Sequence, residues 1–317
     1  MVSIILVLYN SDYKKIRFSL DNILSQTYKD FEVIIADDCS VNDPIGFVDD
    51  YMRACDFKNY KLIRNSQNYG TVHNILGALN YATGEYVKTF GAGDGFYSHD
   101  SLEKMMKFSY DNQVEFGYAK TGMFYLNGEE VIIRPLAFPF AIYDFVSHRN
   151  SQRNCLLYKD NASGISMWFR TDLLIKYLNN AKASVKYEED ICQLEYLLDG
   201  HRIICCDECF FLYEGYAGVS AVGNDAFSQL LHKDENEYYK YLSKKYPENK
   251  WLRKREKLQR VIDIKNVRVR AICMMLLSPL EVRIFVQRYF ALCISKKYGS
   301  TKECEYEGEI TNMYESV

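Results

Sequence analysis

Carboxylates at three widely separated places in the chain, Asp37-Asp38, Asp94 and Glu189-Asp190, are the side chains best able to do chemistry together. Asp38 follows a run of apolar residues. An ionised carboxylate there only accepts hydrogen bonds, so it can take an N–H from a base such as uracil or a ribose hydroxyl. A plain turn or capping role for the pair is the competing reading. Asp94 sits in Gly91-Ala92-Gly93-Asp94-Gly95. Mg²⁺ or Mn²⁺ takes hard oxygen ligands, keeps several waters and is often held by one or two carboxylates, with phosphates supplying the rest. A glycine-rich dinucleotide loop is the rival reading, but Phe96 stands where its last glycine belongs and the loop is far from the first strand. Glu189 and Asp190 open a helical pattern, where acidic side chains are also favoured by the helix dipole alone.

The elements that must position these residues are legible from hydrophobic period. Val2 to Leu8 is a continuous, β-branched apolar run ended by Tyr9-Asn10, the signature of a strand buried on both faces. Residues 12–26 repeat apolar positions at helical spacing, and residues 31–36 form a second apolar run closed by Asp37-Asp38-Cys39-Ser40. The alternation continues with a helix at 41–54, a strand at 60–64, a helix at 72–82 and a strand at 86–90. The predicted fold is therefore α/β with a Rossmann-like, doubly wound, mostly parallel sheet. Such sheets bind ligands beyond the carboxyl ends of their strands, and that is where Asp37-Asp38 and Asp94 fall. Further on, the pattern predicts a helix to about Tyr110, a hairpin around Asn127-Gly128 and an irregular aromatic wall from Phe138 to Tyr158. Helices follow at 171–180, 188–198 and 225–245, with a strand at 202–206.

The chain has 317 residues, 48% hydrophobic and 26% charged, with 5 Pro and a net charge of −3. It can bury a core, has no long linker, and carries no overall attraction for nucleic acid, which is excluded as a partner. Its 10 Cys are scattered without an evident leader segment, pointing to a reducing cytoplasm. Cys205 and Cys206 are adjacent and would point to opposite faces of a strand, which makes a zinc site there a poor expectation. The short apolar run from Ala271 to Leu277 is no membrane span. Between Lys250 and Lys297 thirteen Lys and Arg face three acidic residues, interleaved with apolar positions as in a helical hairpin broken at Ser278-Pro279. Such a tail suits either a helical appendage packed on the domain or an interfacial helix on the cytoplasmic membrane surface.

Taken in order, Val2 to Asn10, the run Ser25-Gln26-Thr27-Tyr28 into Asp37-Asp38-Cys39-Ser40, Gly84-Glu85-Tyr86-Val87 leading to Asp94, and Tyr187-Glu188-Glu189-Asp190 resemble the family-2 inverting glycosyltransferases of GT-A fold. The resemblance covers residues 1 to roughly 220. It implies a catalytic domain at 1–222 and a helical, basic amphipathic region at 223–317. It further implies a nucleotide-diphosphate sugar donor, UDP-linked by expectation, bound by Leu8, Tyr9, Asn10, Asp37, Asp38, Asn74, Gly93 and Asp94. A divalent cation, Mn²⁺ or Mg²⁺, is implied on Asp94. Asp190 takes the position of the family's base, with Glu189 as the fallback. Trp168 falls where the acceptor pocket is lined. The acceptor is expected to be a glycan or lipid-linked hydroxyl in surface polysaccharide synthesis, with the protein on the cytoplasmic side, peripheral on the inner membrane face through its basic helices. Two departures stand out. Cys39 replaces the glycine of the Asp-Asp-Gly-Ser run, and Ala92 and Gly93 replace acidic positions before Asp94. The second motivates an alternative reading, a catalytically silent subunit that binds nucleotide sugar and recruits a partner enzyme at the membrane.

Overall fold

The computed structural model describes residues 1–127, 130–135, 147–148, 151–215, 225–264, 266–277, 286 and 305–314. Its amino-terminal half follows the alternation read from the sequence: β1 (Val2–Leu8), α1 (Tyr13–Leu24), β2 (Phe31–Asp37), α2 (Pro44–Ala54), β3 (Tyr60–Arg64), α3 (Thr71–Leu79) and β4 (Tyr86–Gly91). The strands β3, β2, β1 and β4 lie side by side and parallel. Alternate residues of each strand go to opposite cores, because successive side chains of a strand point to opposite faces. Ile4, Leu6, Val33 and Ile35 join α1, α2 and α4 (Ser101–Asp111) on one side. Ile5, Ile34, Ala36 and Val87 join α3 on the other.

Beyond β4 the sheet changes character. β8 (Met167–Arg170) pairs antiparallel with β4 and with β6 (Phe116–Asn127). The parallel partner of β6 is β9 (Ile203–Glu214), and the two-residue β5 (Gly95–Phe96) closes the order antiparallel to β9. The hairpin expected near residues 127–128 joins β6 to β7 (Glu130–Pro135), with Asn127 opposite Glu130; Gly128 itself lies outside the described residues. β9 is far longer than the strand expected at 202–206. The polar Cys206-Asp207-Glu208 interrupts the apolar pattern because the strand bulges there. Its register against β6 slips between Tyr118 and Lys120, and Lys120 pairs with Asp207 outside the ladder. Cys205 and Cys206 do face opposite cores.

Two expectations need correction. The end of the aromatic stretch is not irregular: α5 (Ser151–Tyr158) is a helix, with Asn154 to Tyr158 buried. Residues 138–146 of that stretch lie outside the described residues. Nor does Trp168 line an open pocket. It lies on β8 with no exposed surface, its indole N–H bonded to Ser109 Oγ at 2.8 Å and its ring edge-on to Phe108. A Cβ on Gly117 would fall 2.2 Å from the indole, so the neighbouring strand needs glycine to pass it. Trp168 is core.

Helices α6 (Thr171–Ala181), α7 (Gln193–Leu198) and α8 (Asp225–Lys245) cover the α3 side of the sheet. The basic helix α9 (Lys250–Ile262) turns its apolar stripe inward. Leu258 and Ile262 pack with Leu157, Tyr158 and Met274 of α10 (Val267–Leu277), and Leu252 joins the main core. Arg255 is buried with them, donating to Leu156 O at 2.6 Å and lying 3.4 Å from the Tyr239 ring centre. The apolar face of α9 is thus covered by protein, whereas α10 leaves Ile272, Leu276 and Leu277 exposed. The expected boundary at 222/223 and the break at Ser278-Pro279 lie outside the described residues. No helix among the described residues is long and apolar enough to cross a membrane. A last helix, α11 (Glu307–Tyr314), packs Ile310 and Met313 against Phe18, Phe124 and Leu212.

Candidate functional site

The carboxyl ends of β1 and β2 are tied into one loop cluster. Asp38 N donates to Leu8 O, Asn10 N to Ser40 Oγ, and Val41 N to Asn10 Oδ1. Leu8 is buried, while Tyr9 is half exposed. Asp37 is sealed in, accepting from Ser40 N and facing the Arg64 guanidinium at 3.4 Å. It braces the loop. Asp38 braces as well: Oδ1 accepts from Asn65 Nδ2 and Tyr69 N, both at 2.9 Å, and Oδ2 from Gly70 N at 2.7 Å. Three of its four lone-pair sites are therefore occupied by the 65–70 loop, leaving one for a ligand N–H or hydroxyl. Asn74 bonds to Ala36 O at 2.8 Å and to Asn65 at 3.0 Å, a second brace of the same loop. Cys39 takes φ +63°, the left-handed conformation that explains why glycine suits this position.

The Asp94 turn is held by one face of α1. Ser19 Oγ donates to Asp94 O at 2.7 Å and accepts from Gly93 N at 3.0 Å. Asn22 grips the Phe96 backbone with both amide atoms, at 2.6 and 2.9 Å. Gln26, fully buried, donates to Ser98 O and accepts from Leu102 N, and Thr27 N reaches His99 O. The Ser25-Gln26-Thr27 run thus stitches the end of α1 to the segment carrying Asp94. Ser19, Asn22 and Gln26 recur at helical spacing as buried polar residues. That period was the one signal in the sequence that could have identified them as positioning residues.

Asp94 Oδ2 accepts from Gly91 N at 3.2 Å and Oδ1 from Glu214 N at 3.1 Å. Burial pushes its carboxyl up to about 7 despite those bonds and the nearby Lys88 ammonium. Lys88 has no exposed surface; it donates to Ile165 O at 2.6 Å and Met167 O at 3.0 Å. Burial brings its amine down to about 7, opposed by the charges of Asp94 and Glu189. Sequence reading missed Lys88 because a single lysine in an apolar strand carries no spacing signal.

Glu189 and Asp190 begin not an α-helix but a 3₁₀ turn (Glu189–Cys192), which leads into α7. Asp190 Oδ2 accepts from Gly164 N at 3.0 Å, and a Cβ on Gly164 would fall 2.8 Å from Glu189 Oε1. Gln193 holds the facing loop, donating to Ala162 O and accepting from Ala162 N. Burial raises Asp190 to about 6; burial and then the Asp190 charge raise Glu189 to about 7. Glu189 lies within electrostatic reach of Asp190, Lys88 and Asp94. These three carboxylates are enclosed by protein yet keep some accessible surface, and Asp94 and Glu189 also lie within electrostatic reach of the buried Lys88. Asp38 is linked toward the Glu189-Asp190 segment through its own loop. Its 69–72 loop runs beside residue 186, with Val72 N bonded to Lys186 O at 3.0 Å.

Hard-oxygen donors whose carboxyl is destabilised in its ionised form suit a divalent cation. Asp94 offers a lone pair on each oxygen beyond its two backbone bonds, so the donor set fits a cation completed by phosphate oxygens and water. Among the described residues no group of three or more acidic, His or Cys side chains forms a closed metal cage.

A parallel α/β half joined to an antiparallel extension, with acidic residues at the carboxyl edge, is the GT-A architecture of nucleotide-sugar transferases. The chain superimposes on S. aureus TarS 1–349, solved in complex with UDP-GlcNAc, over 95% of its own length and 93% of that chain at 16% identity, with a TM-score of 0.53. It is similarly related to the mannosyltransferase PcManGT from Pyrobaculum calidifontis, solved with GDP-Man and Mn²⁺, over 94% and 87% of the two chains at 17% identity and a TM-score of 0.53. Residues 3–176, more than half the chain, match Glycosyl transferase family 2, and the chain belongs to that family. EpsE of Bacillus subtilis (strain 168), assigned as a glycosyltransferase, is 32% identical over 108 residues, covering 34% of this chain and 37% of its own. An uncharacterized glycosyltransferase of Haemophilus influenzae is 27% identical over 131 residues, covering 41% and 51%. The match thus spans about a third to a half of these relatives' lengths.

Proposed function

We propose that this protein transfers a sugar from a nucleotide-diphosphate donor to a hydroxyl of a glycan or lipid-linked acceptor, with inversion, in the synthesis of a surface polysaccharide. The observation that carries the reading is that Glu189, next to Asp190, lies within electrostatic reach of Asp94 and the buried Lys88, three widely separated parts of the chain brought together. Asp190 acts as the general base. It takes the acceptor hydroxyl's proton as that oxygen bonds to the anomeric carbon from the face opposite the departing diphosphate, whose bond to the sugar breaks. With its carboxyl raised to about 6, Asp190 is largely ionised at neutral pH while remaining basic enough to accept a proton. Glu189, next to it, is the fallback base. Asp38 takes a donor hydrogen bond from the base or ribose, with the half-exposed Tyr9 available to contact the same donor. Asn10 and Asn74 keep the surrounding loops in place, and Gly93 lets the backbone turn tightly toward the diphosphate. A divalent cation, Mn²⁺ or Mg²⁺, would be held by Asp94 and, when bound, neutralises charge on the diphosphate.

The named ligands of the structural relatives, UDP-GlcNAc for TarS and GDP-Man with Mn²⁺ for PcManGT, support a nucleotide-sugar donor and a cation. EpsE's name is compatible with an exopolysaccharide product. The exposed apolar residues of α10, flanked by Arg268 and Arg270, support a site of action beside the inner membrane face. The silent-subunit reading rests on Ala92 and Gly93 alone. Incubating the protein with a panel of UDP-, GDP- and TDP-sugars, with Mn²⁺, and measuring release of nucleoside diphosphate tests the proposal. Turnover of one donor supports the enzyme, and binding without turnover of any donor supports the silent subunit.

A further inference from the structure

The turn before Asp94 lacks the acidic residues that the rest of the pattern leads one to look for, and the structure fills their place from elsewhere. Gly93 has φ +96°, and a Cβ built on it would fall 2.5 Å from Glu214 Oε2 and 3.3 Å from Glu214 Cδ. No side chain fits at position 93, because the space that it would enter holds the Glu214 carboxylate. Glu214 ends β9, far along the chain, and its own backbone N–H donates to Asp94 Oδ1 at 3.1 Å. Backbone and side chain of one residue therefore flank the Asp94 turn. The β9 bulge at residues 206–209 sets this register, aiming the strand's last residues at the turn.

Glu214 is 4% exposed, and its two oxygens are used unequally. Oε1 is fixed by the Lys15 ammonium at 2.7 Å and the Tyr314 hydroxyl at 2.5 Å. Oε2 is the atom that lies over Gly93. The Lys15 carbonyl accepts from Gly93 N at 3.2 Å, so this partner of Oε1 is itself tied to the 93–94 turn. A carboxylate fixed through one oxygen, with the other presented beside Asp94, has the form of a preset ligand. We propose that Glu214 is the second carboxylate of the cation site, supplying from β9 the acid that the 92–94 turn lacks, with Lys15 and Tyr314 as its positioning residues. The inference rests on the reading of Asp94 as a cation ligand. Under it, Ala92 and Gly93 are a relocation of the acidic ligand and no sign of lost metal use.

The test is direct Mn²⁺ binding, followed by loss of the free-ion electron paramagnetic resonance signal, on the full chain with UDP or GDP present and without any sugar donor. Wild type is expected to bind one Mn²⁺ in a nucleotide-dependent way. Glu214→Gln keeps the side chain's size and an accepting oxygen but removes the charge. It should weaken Mn²⁺ binding by roughly 10- to 100-fold, the range seen when groups supporting a metal are lost, while metal-free nucleotide binding stays unchanged. Glu214→Ala should give the same loss and replaces the glutamine variant if that one folds poorly. Mn²⁺ affinity within about twofold of wild type in a folded variant overturns the assignment. So does a matching fall in metal-free nucleotide affinity, which would mark Glu214 as structural only. If wild type itself takes up no Mn²⁺ with either nucleotide, the underlying reading of Asp94 fails together with the inference.

Discussion

Replacing Asp94 by asparagine should change stability in opposite directions at pH 4 and pH 8. The Asp94 carboxyl is pushed up to about 7 in the folded chain by burial, against an ordinary value of about 3.9 in an unfolded one. Between those values the folded state holds a proton that the unfolded state has released. The group's contribution is therefore complete below about pH 4 and is lost as pH rises through 7, at up to about 1.4 kcal/mol per pH unit. Asp94 keeps some contact with water in its recess, so a reasonable total by pH 8 is about 2–3 kcal/mol. Asparagine does not titrate, and its single oxygen can satisfy only one of the two N–H groups, from Gly91 and Glu214, that the carboxylate accepts. That loss costs about 1 kcal/mol at every pH. Asp94→Asn should thus be about 1 kcal/mol less stable than wild type near pH 4, about equal to it near pH 5 and about 1–2 kcal/mol more stable at pH 8. Urea unfolding of both proteins in metal-free buffer at pH 4, 5, 6, 7 and 8 measures the difference. Other buried carboxyls that are raised in the same way, Glu188, Glu189 and Asp190, contribute to both proteins and largely cancel in it. Stability curves that stay parallel across this range would refute the claim that Asp94 is held in an ion-disfavouring recess.

Asp190→Asn should lower sugar transfer by about 10²- to 10⁴-fold, the usual contribution of a general base, with nucleotide affinity retained. Wild-type turnover should rise with pH through about 6 as Asp190 ionises, and a rate flat between pH 5 and 7 would count against the base. Gly93→Ala forces a Cβ to within 2.5 Å of Glu214 Oε2 at a positive φ and should cost about 1–3 kcal/mol in urea unfolding; an unchanged midpoint would mean that the turn is not clamped. Trp168→Phe removes the bond to Ser109 and core volume, costing about 1–3 kcal/mol without altering the KM for acceptor. A large KM change with wild-type stability would return Trp168 to the pocket wall.

What could be read in advance was what local period encodes. β1 and β3 begin and end where the apolar runs do, and Asp37-Asp38 and Asp94 fall at strand ends because a parallel sheet puts its loops there. The antiparallel half was harder. β8 is only four residues long, and its aromatic Met167-Trp168-Phe169 reads as well for a pocket wall as for a strand buried on both faces. β9 was cut short by the acidic pair at its bulge, since a bulge breaks the two-residue period on which strand recognition depends. The parts played by Lys88 and Glu214 were not legible for a different reason. Each acts through neighbours more than seventy residues away, such as Ile165 and Asp94, and no spacing rule joins such distant positions.

The hydroxyl of Tyr306 bonds to Ser25, Gln26 and His99, locking the end of α1 and the segment beyond Asp94 with a residue from the chain's last described helical stretch. His99 and Tyr306 are 207 positions apart, so during translation at ~5–20 residues per second the earlier partners wait roughly 10–40 s for that lock. Throughout this interval the nascent polypeptide must leave that corner unfinished. The ribosome therefore delivers the parallel strands first and the fastening of their loops among the last.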